Sequence, residues 1–394
     1  MAVSEVFILS AVRTAIGSFA GALKNVPLSE LATTVVREAI IRSGVQADQV
    51  EHLVMGNVIP TEPRDAYLSR VAAINAGIPV GTPAFNVNRL CGSGLQALVS
   101  AAQTVELGHA DIVIGAGAES MSRSPYLMPA LRWGTRMGDT QAQDYMLGIL
   151  HDPFQAIHMG VTAENIATEA GITRPEQDAL AVESHRRAAQ AIAEGRFHSQ
   201  LIAVSVPGRH GATDFVVDEH VRADTSLDKL ATMKPAFAAG GTVTAGNASG
   251  LNDGACALVM ASATAAREGD LKPIARLVAY AHAGVEPHLM GLGPIPATRL
   301  ALKRAGLTIA DMAVIESNEA FAAQACAVAR ALDFDPAKVN PNGSGISLGH
   351  PVGATGAILA TKAIHELHRI GGRYGLVTMC IGGGQGIAAI FERV

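Results

Sequence analysis

The sequence predicts an α/β fold made of two similar halves, with an insertion in the first half. Three observations predict it. Short apolar strand segments alternate with helical segments near both ends of the chain. A unit of acidic turn, strand and glycine-opened helix occurs twice, in the same order. Between the two occurrences the composition changes. The 394 residues suit roughly two or three domains. Hydrophobic residues make up 49% and charged residues 16%, which excludes a disordered chain. Aromatics are only 4%, so the core is expected to be aliphatic.

Taken in order, residues 6–12 read as an apolar strand. Ser29 is the expected N-cap of a helix with Leu31, Val35, Ala39 and Ile40 on one face, and Gly44 ends it. A strand is expected over 50–58. Residues 88–103 pass from a glycine-punctuated turn into an alanine-rich helix, and a strand follows at 112–115. From Met121 to Met159 the chain carries five of its 12 methionines and its only tryptophan, Trp133. Helices are expected at 161–170 and 175–195, then a polar stretch over 208–228. Residues 121–250 are therefore read as an insertion, with the core resuming in a strand at 255–261. The division is 1–120 with 251–271 as the first half, 121–250 as the inserted loop domain and 272–394 as the second half.

The repeat supports this division. Residues 44–57 run from a helix-ending glycine through an acidic turn into a strand ending at Asn57. Residues 306–318 do the same and end at Asn318. The helix opened by 91–97 is matched by that opened by 351–357. The strand at 111–115 is matched by that at 374–379.

Several partner classes are excluded or disfavoured. Thirty basic against 35 acidic residues leave a formal charge of −5, which gives no basis for a nucleic-acid partner. No apolar run is long enough to cross a membrane. No secretory leader or lipidation motif is read, so a cytoplasmic setting is expected. The four cysteines, Cys91, Cys256, Cys326 and Cys380, form no CxxC pair, so neither a disulfide framework nor a zinc site is expected.

Five segments could carry chemistry. In Asn88-Arg89-Leu90-Cys91-Gly92-Ser93-Gly94, a thiol stands where helix N-terminal amides would lower its pKa and make it a nucleophile; a buried small residue in a tight turn is the equal alternative. Residues 342–354 crowd glycines around His350, unlike His109, His185, His198, His365 and His368, which read as surface residues. Residues 378–386 run from a strand through Cys380 into Gly382-Gly383-Gly384. They lack the lysine of a phosphate loop, but their N–H groups could form an oxyanion hole. Cys256 and Cys326 read as core. Asn318 in 316–322 is either a helix cap or a group that holds a water or polarises a carbonyl. The fifth signal is small: His158-Met159-Gly160 and residues 244–250 would make a surface for a slim chain.

Together these motifs resemble the thiolase family over the whole chain. The signals are residues 88–94, Asn318-Glu319-Ala320-Phe321, Gly349-His350-Pro351 and Cys380-Ile381-Gly382-Gly383-Gly384. His158-Met159-Gly160 and 245–249 are similar to the biosynthetic branch, the acetyl-CoA acetyltransferases. Residues 151–154 and 340–345 look like the broad-range β-ketothiolases of polyhydroxyalkanoate-forming bacteria. The resemblance implies a layered α/β/α/β/α fold and a ping-pong acyl transfer between acyl-CoA molecules. It implies that Cys91, activated by His350, takes the acyl group, and that Cys380 removes the α-proton. His350 and a water held by Asn318 would bind the enolate oxygen. The N–H groups of Cys91 and Gly382 would bind the tetrahedral intermediate.

By the same resemblance coenzyme A and acyl-CoA are substrates, and no tightly bound cofactor or metal is expected. Leu150, His158, Met159, Ala245, Ser249 and Phe321 would line the pantetheine tunnel, with Arg222 at the nucleotide end. Leu90, Met290 and Ile381 would line the acyl end. The 121–146 stretch matches a tetramerisation loop, so a homotetramer is expected. Two departures stand out: Val221 where the family commonly has proline, and Ser317 where many members carry an apolar residue. A β-ketoacyl synthase would lack the Cys380 motif. A non-catalytic lipid-binding relative would have lost one of Cys91, Asn318, His350 or Cys380.

Overall fold

The structure, a computed structural model, describes residues 4–208 and 211–394. Residues 1–3, and residues 209 and 210 of the expected polar stretch, lie outside the described residues.

The first half opens with β1 (Val6–Thr14) and α1 (Leu28–Ser43), followed by β2 (His52–Gly56), α2 (Leu68–Asn75), β3 (Ala84–Val87), α3 (Ser93–Glu106) and β4 (Ile112–Ser120). Helix α1 begins one residue before Ser29 and follows Pro27, whose φ of −58° already suits a helix. Ser29 is therefore inside the first turn, and the N-cap reading of it is wrong. Gly44 does end the helix, at φ +78°, a conformation that costs glycine little.

The inserted segment carries α4 (Met159–Ala170), α5 (Arg174–Ala193) and a hairpin of Val204–Gly208 with Gly211–Phe215. Glu164 on α4 accepts hydrogen bonds from the N–H groups of Thr242 and Val243, which draws the end of the insertion onto its own helices. The chain then returns to the core through β5 (Asn252–Ser262), β6 (Ala275–Gly284), α6 (Pro294–Ala305), β7 (Met312–Ser317), α7 (Ala322–Ala331), α8 (Thr355–Ile370), β8 (Tyr374–Ile381) and β9 (Gln385–Arg393).

These strands form one sheet in the order β7-β8-β9-β6-β1-β5-β4-β2-β3. The order β1-β5-β4-β2 of the first half is repeated as β6-β9-β8-β7 in the second. In each half two antiparallel pairings are followed by a parallel one. Even the irregularity is repeated, because the register of β1 shifts between Ile8 and Ser10 and that of β6 between Leu277 and Ala279. The halves meet where Val6, Phe7 and Ile8 pair with Leu277, Arg276 and Ala275.

The core explains the layers. Helices α3 and α8 pack on each other and on strands of both halves. Leu95, Leu98, Ile358, Ile364, Met260 and Met379 share that central cluster. Helices α1 and α2 cover the outer face of the first half through Leu31, Val35, Leu68 and Ala72. Helix α6 covers the second through Ala297 and Ala301. The result is α/β/α/β/α, with every layer aliphatic. Close approach in the middle depends on glycine: a Cβ on Gly94 would meet the backbone of Ala357 at 2.8 Å, and one on Gly356 would meet the backbone of Leu95.

Candidate active site

Four chain segments converge beside the carboxyl ends of the parallel strands, the usual place for a site in such sheets. Strand β3 leads into the Cys91 turn. There Asn88 Oδ1 accepts from the Leu90 N–H at 2.9 Å. Ser93 Oγ accepts from the Arg89 N–H at 2.9 Å and donates to the Leu90 carbonyl at 2.6 Å. These bonds hold Leu90 at φ +46°, a left-handed conformation unusual for a branched residue and often found beside reacting groups. Gly92 has no space for a Cβ, which would sit 2.6 Å from Ile381.

The Cys91 thiol is not activated in the way the sequence suggests. Burial pushes its pKa up to about 11, and the charge of Glu119 adds to the rise. The backbone N–H groups of Gly382 and of Cys91 itself pull the other way without prevailing. Desolvation penalises a thiolate more than the start of α3 rewards it. Both N–H groups lie near enough to act on the sulfur, and an oxyanion hole needs such donors directed at the oxygen of the carbonyl that the sulfur attacks.

His350 stands just before α8. Gly349 takes φ +109°, and a Cβ there would overlap the Asn252 side chain. Asn252 Oδ1 accepts from the His350 N–H at 2.9 Å. The ring nitrogen Nδ1 lies 2.6 Å from Thr355 Oγ1, and Nε2 lies 3.4 Å from Asn318 Nδ2. Burial lowers the imidazole to about 4, so it is neutral at pH 7. Asn318 follows β7 and caps no helix: Phe321 holds the N-cap position of α7. Its Oδ1 is buried with no partner among the described residues. The Ser317 departure leaves this segment in place, because Asn340 pairs with both the N–H (2.9 Å) and the carbonyl (2.8 Å) of Ser317. Cys380 is the penultimate residue of β8 and is buried, and burial together with the nearby Cys91 raises its thiol far above the ordinary range.

Cys91, His350, Cys380 and Gly382 line one cavity of about 390 Å³, whose walls are formed by Leu150, His158, Met159, Ala245, Ser249, Met290 and Phe321. Arg222 lines it too, and also borders an adjoining cavity of about 150 Å³ with His185, His220 and Lys229. Asn318 reaches the site through His350 rather than through the cavity wall. Leu90 and Ile381 are not part of that wall; Ile381 is buried against Gly92. A second cavity, about 430 Å³, lies among Leu180, Cys326, Phe334 and Val339 and contains none of the four motif side chains.

Other sequence readings need correction. His185 is buried, not a surface residue, and its Nδ1 accepts from the Arg222 N–H at 3.1 Å. His365 is half-buried, bonded to the Ala11 carbonyl at 2.9 Å. Cys326 is half-buried at the second cavity, while Cys256 is core as expected.

Sequence reasoning also missed three residues. Phe237 stacks on His158 at 4.8 Å between ring centroids, in space that a Cβ on Gly160 would take. Thr355 contacts the buried His350 imidazole. Glu119 is buried and accepts four hydrogen bonds, from the N–H groups of Val58, Ile59 and Gly353 and from Asn57 Nδ2. The composition of the Gly117-Ala118-Glu119-Ser120 strand end held one signal for Glu119: an acid at the end of an otherwise apolar strand. Among the described residues no group of three or more His, Cys, Asp or Glu side chains could hold a metal ion, and no helix is long and apolar enough to cross a membrane.

A nucleophile-bearing turn, a buried neutral imidazole and a second thiol around one tunnel define an acyl-transferring enzyme with a thioester-forming cysteine. The chain belongs to the thiolase family: the pattern described as thiolase, N-terminal domain, matches residues 6–264, and that described as thiolase, C-terminal domain, matches residues 271–393. It is 63% identical over 391 residues to beta-ketothiolase BktB of Cupriavidus necator, covering 99% of both chains. It is 48% identical to the acetyl-CoA acetyltransferase of Chromobacterium violaceum, covering 99% of this chain and 100% of the other. Among solved structures, the acetyl-CoA acetyltransferase of Bacillus anthracis superposes with a TM-score of 0.98 at 45% identity over the full length of both chains. Human mitochondrial 3-ketoacyl-CoA thiolase in complex with CoA gives 0.96 at 40%, covering 99% of this chain and 98% of that one.

Proposed function

We propose that the chain catalyses the reversible condensation of two acetyl-CoA to acetoacetyl-CoA and CoA, and the thiolysis of short 3-ketoacyl-CoA including 3-ketovaleryl-CoA. One observation carries the residue assignment: Cys91, His350, Cys380 and Gly382 line a single cavity.

In the first half-reaction His350 Nε2 takes the Cys91 thiol proton as sulfur attacks the thioester carbonyl. The N–H groups of Cys91 and Gly382 bind the oxyanion. As the intermediate collapses, the departing CoA thiolate takes the Cys380 proton. Acyl-Cys91, imidazolium and the Cys380 thiolate remain. In the second half-reaction that thiolate removes the α-proton of acetyl-CoA. The enolate oxygen is bound by His350 Nε2–H and by a water held on Asn318. The enolate carbon attacks acyl-Cys91, and the released Cys91 thiolate recovers its proton from His350. Every proton taken is returned. High resting pKa values suit this cycle, because each thiolate exists only beside the imidazolium that stabilises it.

The tunnel supports the CoA reading. Leu150, Met159, Phe321, Ala245 and Ser249 offer an apolar sleeve for pantetheine, and the Arg222 cavity offers cationic groups for phosphates. Met290 is buried near the reacting end and, being unbranched, can yield to one more methylene. The insertion 121–250 supplies most of this sleeve, which supports the three-part division of the chain. No tightly bound cofactor is required. Tyr126, Leu131, Trp133 and Met137 are exposed on one loop of the insertion, an apolar surface that fits a homotetramer contact. Four free cysteines fit a reducing cytoplasm. The similarity of residues 151–154 and 340–345 to broad-range β-ketothiolases of polyhydroxyalkanoate-forming bacteria supports a role in supplying polyhydroxyalkanoate synthesis.

The test is incubation with acetyl-CoA followed by intact-mass analysis. The wild-type chain should gain one acetyl group and Cys91→Ser none, while acetoacetyl-CoA with CoA should lose its enolate absorbance only with wild type. Full turnover in Cys91→Ser would overturn the assignment.

A further inference from the structure

We infer that Thr355 is a positioning residue for the acyl transfer: its hydroxyl holds His350 as the Nδ1–H tautomer, so that Nε2 alone exchanges protons with the reacting groups. The inference deepens the reading above and rests on His350 being the base.

Thr355 Oγ1 lies 2.9 Å from the Pro351 carbonyl oxygen and 2.6 Å from His350 Nδ1. The Pro351 oxygen can only accept; it also takes the N–H groups of Ala354 (2.8 Å) and Thr355 (2.9 Å), and we assign the hydroxyl proton to it as that of Ser93 goes to the Leu90 carbonyl. With the proton so placed, the hydroxyl oxygen faces Nδ1 with lone pairs, and Nδ1 is the donor. In a neutral imidazole this leaves the lone pair on Nε2. Nε2 in turn lies 3.4 Å from Asn318 Nδ2, a donor that matches a lone pair. The ring is buried and its Nδ1 has no other partner among the described residues.

The first half of the molecule carries the same device where the assignment is unambiguous. Ser93 opens α3 as Thr355 opens α8. Ser93 Oγ donates to the Leu90 carbonyl at 2.6 Å and accepts from the Arg89 N–H at 2.9 Å. In both turns, then, a hydroxyl at the first helical position gives its proton to a preceding carbonyl and receives one from an N–H. In the first half that N–H belongs to the backbone. In the second it belongs to the catalytic ring.

The consequence is chemical. An imidazole with the proton on Nε2 could neither accept the Cys91 proton there nor return it. With Nδ1–H fixed, the ring moves between neutral and cationic forms without rotating, and Thr355 accepts from Nδ1 in both. Other ring-fixing groups do not compete, since the backbone bond from His350 to Asn252 leaves the ring free to turn about its side-chain bonds.

The test compares Thr355→Val, which keeps shape but removes the hydroxyl, with Thr355→Ser, which keeps it. Steady-state thiolysis of acetoacetyl-CoA should lose about 100-fold in kcat with Val, with KM changed less than about threefold. Ser should stay within about fivefold of wild type. Imidazole ¹⁵N spectra, with His350 assigned by its absence in His350→Asn, should show a protonated Nδ1 and a bare Nε2 in the resting wild type, and a mixture of tautomers with Val. A Val variant that turns over like wild type, a Ser variant as poor as Val, or a resting Nε2–H signal would each overturn the inference. If His350→Asn itself turned over normally, the reading of His350 as the base would fail, while the tautomer seen in the spectrum would still report on Thr355.

Discussion

The two halves place an asparagine and a side chain of different chemistry at matching points, and they use them in opposite ways. In the first half Gly56 pairs with Gly117, so Asn57 and Glu119 lie one and two residues further along. In the second Ser317 pairs with Thr378, so Asn318 and Cys380 lie at the corresponding steps. Asn57 and Glu119 are bonded to each other at 3.0 Å, and the carboxylate takes three backbone N–H groups as well. Asn318 Oδ1, by contrast, has no partner among the described residues, and Cys380 faces the tunnel. The closed pair holds loops together, because a saturated buried network is rigid. The open pair is left with unmet bonding capacity, which a substrate can fill. The two halves thus present equivalent corners, one closed on itself and one open to the tunnel.

The most direct way to break the comparison is to empty the reactive corner. Cys380→Ala should still acquire an acetyl group on Cys91, more slowly because the departing CoA thiolate loses its proton donor, but should lose condensation far more, by about 10³-fold, as read by intact mass and by acetoacetyl-CoA formation. Loss of acylation with retained α-proton exchange would reverse the division of labour between the thiols.

The closed corner gives a second test of a different kind. Glu119→Gln presents an NH₂ group to N–H donors whichever way the amide turns, leaving buried donors unpaired at about 1–3 kcal/mol each. Thermal unfolding should come several kcal/mol easier. The Cys91 thiol should also become more acidic, since the Glu119 charge raises it. Iodoacetamide alkylation followed against pH reads that shift, and an unchanged profile would remove Glu119 from the electrostatics of the site.

A third test uses pH. The imidazole of His350 binds a proton at about 4 in the folded chain and near 6.5 when unfolded. Between those values the unfolded chain binds more protons, so stability falls as pH is lowered, by about 2 kcal/mol at pH 5 relative to pH 7. His350→Asn should flatten this part of the denaturation curve. The rate of Cys91 acylation should show no inflection near pH 6.5; one there would mean an exposed imidazole.

The smallest effect concerns the acyl end of the tunnel. Thiolysis of 3-ketovaleryl-CoA should lie within about 200-fold of acetoacetyl-CoA in kcat/KM, because one methylene in a yielding pocket is worth about 1–3 kcal/mol. A ratio beyond a thousandfold would show that Met290 is a rigid wall.

Much of this molecule is written locally. Residues 88–94, 318–321, 349–351 and 380–384 marked the reacting turns because tight backbone needs glycine and acyl-transfer chemistry needs thiol and imidazole, both visible in one short stretch. Strand and helix order followed from apolar periodicity, and the duplicated halves followed from repeated order. The errors were of another kind. The start of a helix promised an acidic Cys91, but desolvation raises it. Ser29 had the composition of a cap, but Pro27 starts the helix earlier. His185 looked exposed within its helix, but the Arg222 loop covers it.

What only the tertiary structure decided depends on distance along the chain. The bond from Gly353 to Glu119 spans 234 residues, and Asn318 meets His350 across 32. The tunnel joins residues from both halves and the insertion. A pKa, a tautomer or a cavity wall is set by what surrounds a group in space, and a sequence lists only what precedes and follows it. The sequence therefore determined which groups are available for acyl transfer, while packing determined which are neutral, which are held and which are free to react.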